Sequence, residues 1–323
     1  MKLGTKCIRA RYLNIFSFHY CLPILTITTF EVVTAIRLIM KIIECPRDAM
    51  QGIDTFIPTN TKTKYINQLL KVGFDTIDFG SFVSTKAIPQ MKDTGEVVNA
   101  LNMSDTTSKL LAIVANTRGA QDASMFPQIT YLGFPMSISE TFQVRNTNKT
   151  ISQALNSLEE IKNICSKTNK KLVTYISMGF GNPYGDPYAS DLVGQFVDIL
   201  LTLGSDIISL ADTIGVSTPK NIHELFTSLT HSYPSAEIGI HLHSSPQTRY
   251  EKIEAAFNAG CKRIDGALKG FGGCPMANDD LVGNLPTEDI VSFIQSNQKG
   301  TALVNDIELK KALALAAEVF SAH

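Results

Sequence analysis

Lys41-Ile42-Ile43-Glu44-Cys45, followed at once by Pro46-Arg47-Asp48-Ala49-Met50-Gln51, is the stretch on which the fold turns. The first five residues read as a short apolar strand and the next six as the chain leaving it. A doubly wound open sheet would carry a glycine-rich phosphate loop here, because close approach of backbone to a pyrophosphate needs glycine. None of these six residues is glycine. Similar runs recur downstream at Thr76 to Phe79, Leu110 to Ala115, Tyr131 to Phe134 and Leu172 to Met178. They continue at Asp206 to Ala211, Ile238 to His243 and Arg263 to Ala267. Continuous apolar runs of this length suit parallel strands buried on both faces.

Amphipathic stretches separate the runs: Thr61 to Val72, Ile88 to Leu101, Thr150 to Thr168, Pro187 to Leu203, Lys220 to Ser232 and Thr248 to Ala259. Gly73, Gly204 and Gly260 sit where left-handed helix caps belong. Arg118 to Gln128 is too weakly patterned to assign. Strands and helices alternating eightfold over roughly 250 residues are what a (β/α)8 TIM barrel requires. The expected fold is therefore an α/β TIM barrel, with extra C-terminal helices from about residue 285. Of these, Ile307 to Phe320 has an apolar side (Leu309, Leu313, Leu315, Val319) suited to the barrel wall or to a second subunit of a homodimer.

The chain of 323 residues has a formal charge of −1. That balance offers no basic face to nucleic acid. Its six cysteines are scattered without paired spacing, which points to a reducing compartment and a cytoplasmic protein. Residues 1–39 read differently. Lys2, Lys6, Arg9 and Arg11 precede an apolar stretch from Tyr12 to Phe30, the order of a signal or anchor. Asn14, Ser17, His19 and Pro23 dilute that stretch below what a membrane span needs. We therefore expect no membrane partner, an N-terminal extension over 1–39 outside the catalytic domain, and a working barrel over 40–323.

Barrel chemistry collects at the C-terminal ends of the strands. There the first strand presents Arg47 and Asp48, the second Asp78 and Ser81, and the sixth Asp212 and Thr213. The seventh ends in His241-Leu242-His243, whose imidazoles share one face because side chains alternate along a strand. The eighth leads to Gly270-Phe271-Gly272-Gly273-Cys274-Pro275. Asp48, His241 and His243 form an oxygen/nitrogen set with open positions, suited to Mg²⁺ or Mn²⁺ and equally to Zn²⁺ or Fe²⁺. Taken singly, each residue has a plainer reading. Arg47–Asp48 is then a local ion pair, Asp78 a loop cap, Asp212 a helix cap and Cys274 a small hydrophobe. Five strand ends carrying such groups together favour one site.

Together with Ser81-Phe82-Val83-Ser84, Pro89-Gln90-Met91, Asp212-Thr213-Ile214-Gly215 and Gly283-Asn284, these motifs resemble the 3-hydroxy-3-methylglutaryl-CoA lyase family. The likeness runs from about Met40 to Asp289. It implies a metal-dependent barrel, with Mg²⁺ or Mn²⁺ as cofactor, that cleaves an acyl-CoA substrate to acetyl-CoA and acetoacetate. It implies Asp48, His241, His243 and Asn284 as cation ligands. It also implies catalytic roles for Arg47, Asp48, Asp78 and His241, with Cys274 as the acid of a closing loop. Arg47, Gln51, Ser81, Asp212 and Thr213 are the implied substrate contacts. Three departures stand out: Asp78 where the family usually has Glu, Ser244 where an acid commonly follows the histidine pair, and one extra residue between Cys274 and Asn284. They leave the class intact and open the identity of the acyl group. The rival readings are an acetyl-CoA/2-oxo acid condensing synthase on the same barrel and a non-catalytic acyl-CoA-binding barrel.

Overall fold

Parallel strands cannot be joined by tight turns, so each apolar run must be followed by a crossover that returns the chain to the same edge. Repeated with one handedness, that unit curls the sheet until its ends meet. The computed structural model describes residues 40–273, 282–297 and 304–321, and the expectations for residues 1–39 and for Cys274 lie outside them. The chain begins with β1 (Lys41–Glu44), α1 (Pro46–Gln51), α2 (Thr59–Leu70), β2 (Thr76–Ser81) and α3 (Thr94–Asn99). Next come β3 (Lys109–Ile113), α4 (Thr117–Ser124), β4 (Ile129–Ser137), α5 (Glu140–Thr147) and α6 (Ile151–Thr168). Then follow β5 (Lys171–Ser177), α7 (Ser190–Thr202), β6 (Ile207–Asp212), α8 (Pro219–Ser232), β7 (Glu237–Ser244) and α9 (Arg249–Asn258). The last elements are β8 (Arg263–Gly266), β9 (Gly283–Asn284), α10 (Thr287–Asn297) and α11 (Asp306–Ser321).

The strands run in the order β6-β5-β4-β3-β2-β1-β8-β7, and a β6–β7 pairing closes the ring. Every pairing within the ring is parallel. The expected TIM barrel is therefore the fold. Alternation along the strands sorts side chains to two sides. Leu110 and Ala112 join the large core between strands and helices, whereas Leu111 and Ile113 face the axis with Tyr131, Val173, Tyr175 and Ile207. By the same parity Cys45, Asp78, His241 and Asp265 face the axis, while Glu44 faces outward to Thr287 of α10.

Several elements differ from the sequence reading. The helix expected over Ile88 to Leu101 is broken into a 3-10 turn at Pro89–Met91 and the short α3. Pro89 restricts Ile88 to an extended backbone (φ −131°) and so prevents a continuous start. The unassigned stretch holds α4, two turns capped by Asn116, whose side chain accepts from the Gly119 N–H. It buries only Gly119, Ala120 and Ala123, too little for an apolar stripe to show. α5 was equally hidden, with Phe142 and Gln143 its buried residues. α11 lies on α2, where Tyr65 and Phe320 meet edge to face at 5.9 Å. No helix among the described residues is long and apolar enough to cross a membrane.

Candidate metal centre

β1 ends at Glu44, and Pro46, preset for the first helical position, starts α1 immediately. The abrupt turn leaves Arg47 and Asp48 in the first turn of a short buried helix over the barrel mouth. Arg47 grips Asp78 of β2 with Nε (3.0 Å to Oδ2, 3.3 Å to Oδ1) and with Nη2. Its Nη1 donates to Asp48 Oδ1 at 2.8 Å and to Gln51 Oε1 at 2.9 Å. Gln51 Nε2 donates back to Asp48 Oδ1 at 2.9 Å. One Nη2 hydrogen of the guanidinium is left over, and the side chain is 11% exposed, at the mouth. Asp78 is thus not a loop cap. It lies within β2, fully buried, beneath the arginine.

The two histidines of β7 stand beside Asp48, and the donor atoms of Asp48, His241 and His243 all lie within 4.8 Å of one another. β9 pairs antiparallel with the end of β7 and sets Asn284 opposite His243. Asn284 Nδ2 donates to Asp48 Oδ2 at 2.7 Å and to the Phe271 carbonyl at 2.9 Å. Asn284 Oδ1 and His243 Nε2 are buried without a hydrogen-bond partner. Buried acceptors normally find a donor. Two that do not, beside an ionised carboxylate, are what a cation would satisfy. The glycine loop closes over this group. Gly272 (φ +96°) comes so near that a Cβ there would lie 2.7 Å from Asn284 Nδ2 and 2.8 Å from the Asp48 carbonyl oxygen. Only glycine fits both the backbone angle and the space.

The electrostatics agree with a ligand set. Burial disfavours the Asp48 carboxylate, but Arg47, His241, His243 and the Asn284 bond outweigh it and hold its pKa below the ordinary value. Burial, helped by His241, pushes His243 down to about 4, so it is neutral with a free lone pair at neutral pH. Burial also lowers His241, yet the Asp265 hydrogen bond, with the charges of Asp265 and Asp48, leaves it above its usual value. Burial raises Asp78 to about 6 against the pull of Arg47, which keeps it ionised at neutral pH.

Other candidates fall differently. Ser81 Oγ donates to the Ile113 carbonyl at 3.2 Å, and Thr213 Oγ1 accepts from Met178 N–H at 2.9 Å. Asp212 Oδ2 accepts from Ser217 and Lys252, and Asp212 does not cap α8, because Thr218 does. These three sit at strand ends with side chains bonded to the scaffold, apart from Asp212 Oδ1, which is buried without a hydrogen-bond partner. Two neighbours escaped the sequence reading. Asp265 Oδ2 lies 3.2 Å from His241 Nδ1, and the Tyr175 ring meets His241 edge-on at 6.1 Å. Asp265 had a signal: a carboxylate in the middle of a buried strand needs a partner. Cys45 also lies near His241 and Asp265, but burial pushes its thiol well above the usual value, so it remains protonated and is a poor ligand.

A family model described as HMGL-like matches residues 40–319 of this geometry. The chain belongs to the HMGL-like family. The hydroxymethylglutaryl-CoA lyase YngG of Bacillus subtilis is 32% identical over 271 residues, covering 84% of this chain and 88% of that protein. A solved HMG-CoA lyase from Bacillus subtilis superposes with a TM-score of 0.81 at 31% identity, covering 87% of this chain and 93% of that one. A second solved HMG-CoA lyase, from Acinetobacter baumannii and in complex with coenzyme A and 3-methylmalate, gives 0.80 at 28% identity, with 88% and 92% covered. The HMGL-like match spans the barrel and both C-terminal helices almost entirely, from Met40 into α11.

Proposed function

We propose that this HMGL-like protein is a divalent-cation-dependent carbon–carbon lyase that cleaves 3-hydroxy-3-methylglutaryl-CoA to acetyl-CoA and acetoacetate. The observation that carries this reading is the convergence of Asp48, His241, His243 and Asn284, with two buried lone-pair atoms unmatched, in a chain about 30% identical to lyases of that name. Those four residues would hold the cation, and their oxygen/nitrogen character suits Mg²⁺ or Mn²⁺. When bound, a divalent ion acidifies and orients an oxygen substituent of the substrate.

The protein's own groups supply the rest. A carboxylate at the mouth, Asp48 or Asp78, takes the proton of the tertiary hydroxyl, while His241, its Nδ1 proton held on Asp265, keeps its one lone pair for the cation. The hydroxyl-bearing carbon becomes the ketone of acetoacetate as its bond to the thioester methylene breaks, and that electron pair passes to the thioester. The remaining Nη2 hydrogen of Arg47 meets the negative oxygen that results, with Asp78, Asp48 and Gln51 fixing the guanidinium plane. Cys274, outside the described residues, protonates the methylene carbon. No oxidant, reductant or second substrate is needed. The substrate-contact roles of Gln51, Ser81, Asp212 and Thr213 belong to the same proposal. For Gln51 the support is its bond to Arg47.

The working unit is taken to begin at Met40, where the family match starts. Cytoplasmic residence and a homodimer are part of the proposal, the latter supported by Ile307, 68% exposed on α11. The deciding experiment incubates the full chain with 3-hydroxy-3-methylglutaryl-CoA, with chelator, Mg²⁺ or Mn²⁺, and follows acetoacetate release. Cleavage that stops with chelator and returns with either ion is expected. Condensation of acetyl-CoA with a 2-oxo acid, without cleavage, would replace the lyase by a synthase. Acyl-CoA binding without turnover would leave a binding barrel.

A further inference from the structure

Lys252 projects from α9 into the barrel wall with its side chain 2% exposed. An ammonium group has three hydrogens to place, and buried it must place them all. Lys252 Nζ donates to Asp212 Oδ2 at 2.9 Å, to the Gly215 carbonyl at 3.1 Å and to the His243 carbonyl at 2.7 Å. These acceptors belong to three pieces of the mouth. Asp212 ends β6, and its Oδ2 also accepts the N–H and hydroxyl of Ser217. Gly215 forms the turn that follows (φ +72°), and a Cβ there would stand 2.8 Å from Val282 Cγ1, so Val282 rests on that turn. Val282 in turn directly precedes β9 and its Asn284. His243 is the penultimate residue of β7. One ammonium therefore ties the main chain of one candidate ligand to the turn that supports the strand of another.

A wish for stability does not explain this arrangement. A buried ion pair is often matched or bettered by apolar residues of similar volume, and methionine would follow the same path through the wall. What a methionine lacks is the ability to hold three acceptors at fixed distances. We propose that Lys252 is a positioning residue for the cation centre, acting through the His243 carbonyl and the Gly215 turn to hold His243 and Asn284 in register with Asp48. This rests on the cation-centre reading above, and it assigns Lys252 no contact with substrate.

The test titrates Mn²⁺ into the full chain, reading free Mn²⁺ by electron paramagnetic resonance, beside metal-free thermal unfolding. Four proteins are compared: wild type, Lys252→Met, Asp212→Asn and the Lys252→Met/Asp212→Asn pair. Lys252→Met leaves Asp212 as a lone buried charge, so it loses stability, and the pair removes that charge and regains it. Mn²⁺ affinity is expected to fall on the order of 10–100-fold in Lys252→Met, the range for losing a group that orients a ligand. In the pair it stays about tenfold or more below that of Asp212→Asn although the melting temperature has recovered. Should the pair bind Mn²⁺ as tightly as Asp212→Asn, Lys252 merely neutralises Asp212 and the inference is overturned. Wild-type affinity in Lys252→Met has the same consequence. If Lys252→Met does not fold, the comparison of the pair with Asp212→Asn still decides. A wild type that takes up no Mn²⁺ sinks the cation-centre reading itself, which is a separate result.

Discussion

His241 Nδ1 faces Asp265 Oδ2 at 3.2 Å inside the barrel, and the same imidazole groups with Asp48 and His243. A carboxylate accepts only, so it fixes the proton on Nδ1 and leaves Nε2 with its lone pair. Asp265→Asn keeps the shape but presents an amide that can donate to Nδ1 instead, moving the proton to the wrong nitrogen. We expect Mn²⁺ affinity to drop roughly 10–100-fold, with a parallel loss of kcat. Calorimetric titration and steady-state kinetics check both, and an unchanged affinity would remove Asp265 from the site.

Arg47 serves four partners at once: Asp78 through two nitrogens, Asp48, Gln51 and the open mouth. A lysine keeps the charge and loses the planar fork. Arg47→Lys should therefore lower kcat about 100-fold or more, the cost of removing one donor at a developing oxyanion, while KM moves little. A matched fall in kcat/KM and kcat is the signature to look for. A rise in KM alone would mean that Arg47 binds the ground state and not the transition state.

The barrel could be read from the chain because every strand is a self-contained apolar run, and burial on both faces leaves its mark in composition alone. Asp48, His241 and His243 were legible for a similar reason: each sits at or just beyond the end of such a run, where the fold collects chemistry. Asn284 was legible only through the family resemblance, since its place depends on a two-residue strand, β9, that no periodicity can announce. Asp212 and Thr213 are legible by position at the end of β6, but what holds them is not: Asp212 Oδ2 accepts from Ser217 and Lys252 and Thr213 Oγ1 from the Met178 N–H, while Asp212 Oδ1 is buried without a hydrogen-bond partner. Lys252 was hidden because a lysine in a helix reads as solvated until its neighbours in space are known.

Cys274 carries the proposed final proton transfer, and its position between Gly273 and Pro275 allows a test that needs no further structure. Cys274→Ala should reduce kcat by roughly 10²–10⁴-fold, the range for losing a general acid, with metal affinity and melting temperature as in wild type. The same variant run against 3-hydroxy-3-methylglutaryl-CoA in single turnover separates chemistry from release. Full activity in Cys274→Ala would assign the acid to another group at the mouth.

Glu44 offers a prediction about pH that is independent of the site. It lies fully buried between β1 and α10, accepting from Leu268 N–H at 3.0 Å and from Thr287 Oγ1 at 2.5 Å. Burial raises its pKa from 4.5 to about 8, although both hydrogen bonds pull the other way. The folded protein thus keeps a proton that the unfolded chain releases near pH 4.5, so folded binds more protons than unfolded across that interval. Stability from this group is therefore lost as pH rises from about 4.5 to about 8, and is flat beyond. Glu44→Gln can accept from Leu268 and donate to Thr287 with no charge to bury. Its melting temperature should exceed that of wild type by a margin that widens between pH 5 and pH 8 and then stays constant. Scanning calorimetry across that range is the measurement. Parallel curves for the two proteins would mean that Glu44 is ionised in the folded state well below pH 8, with water or a cation reaching it behind α10.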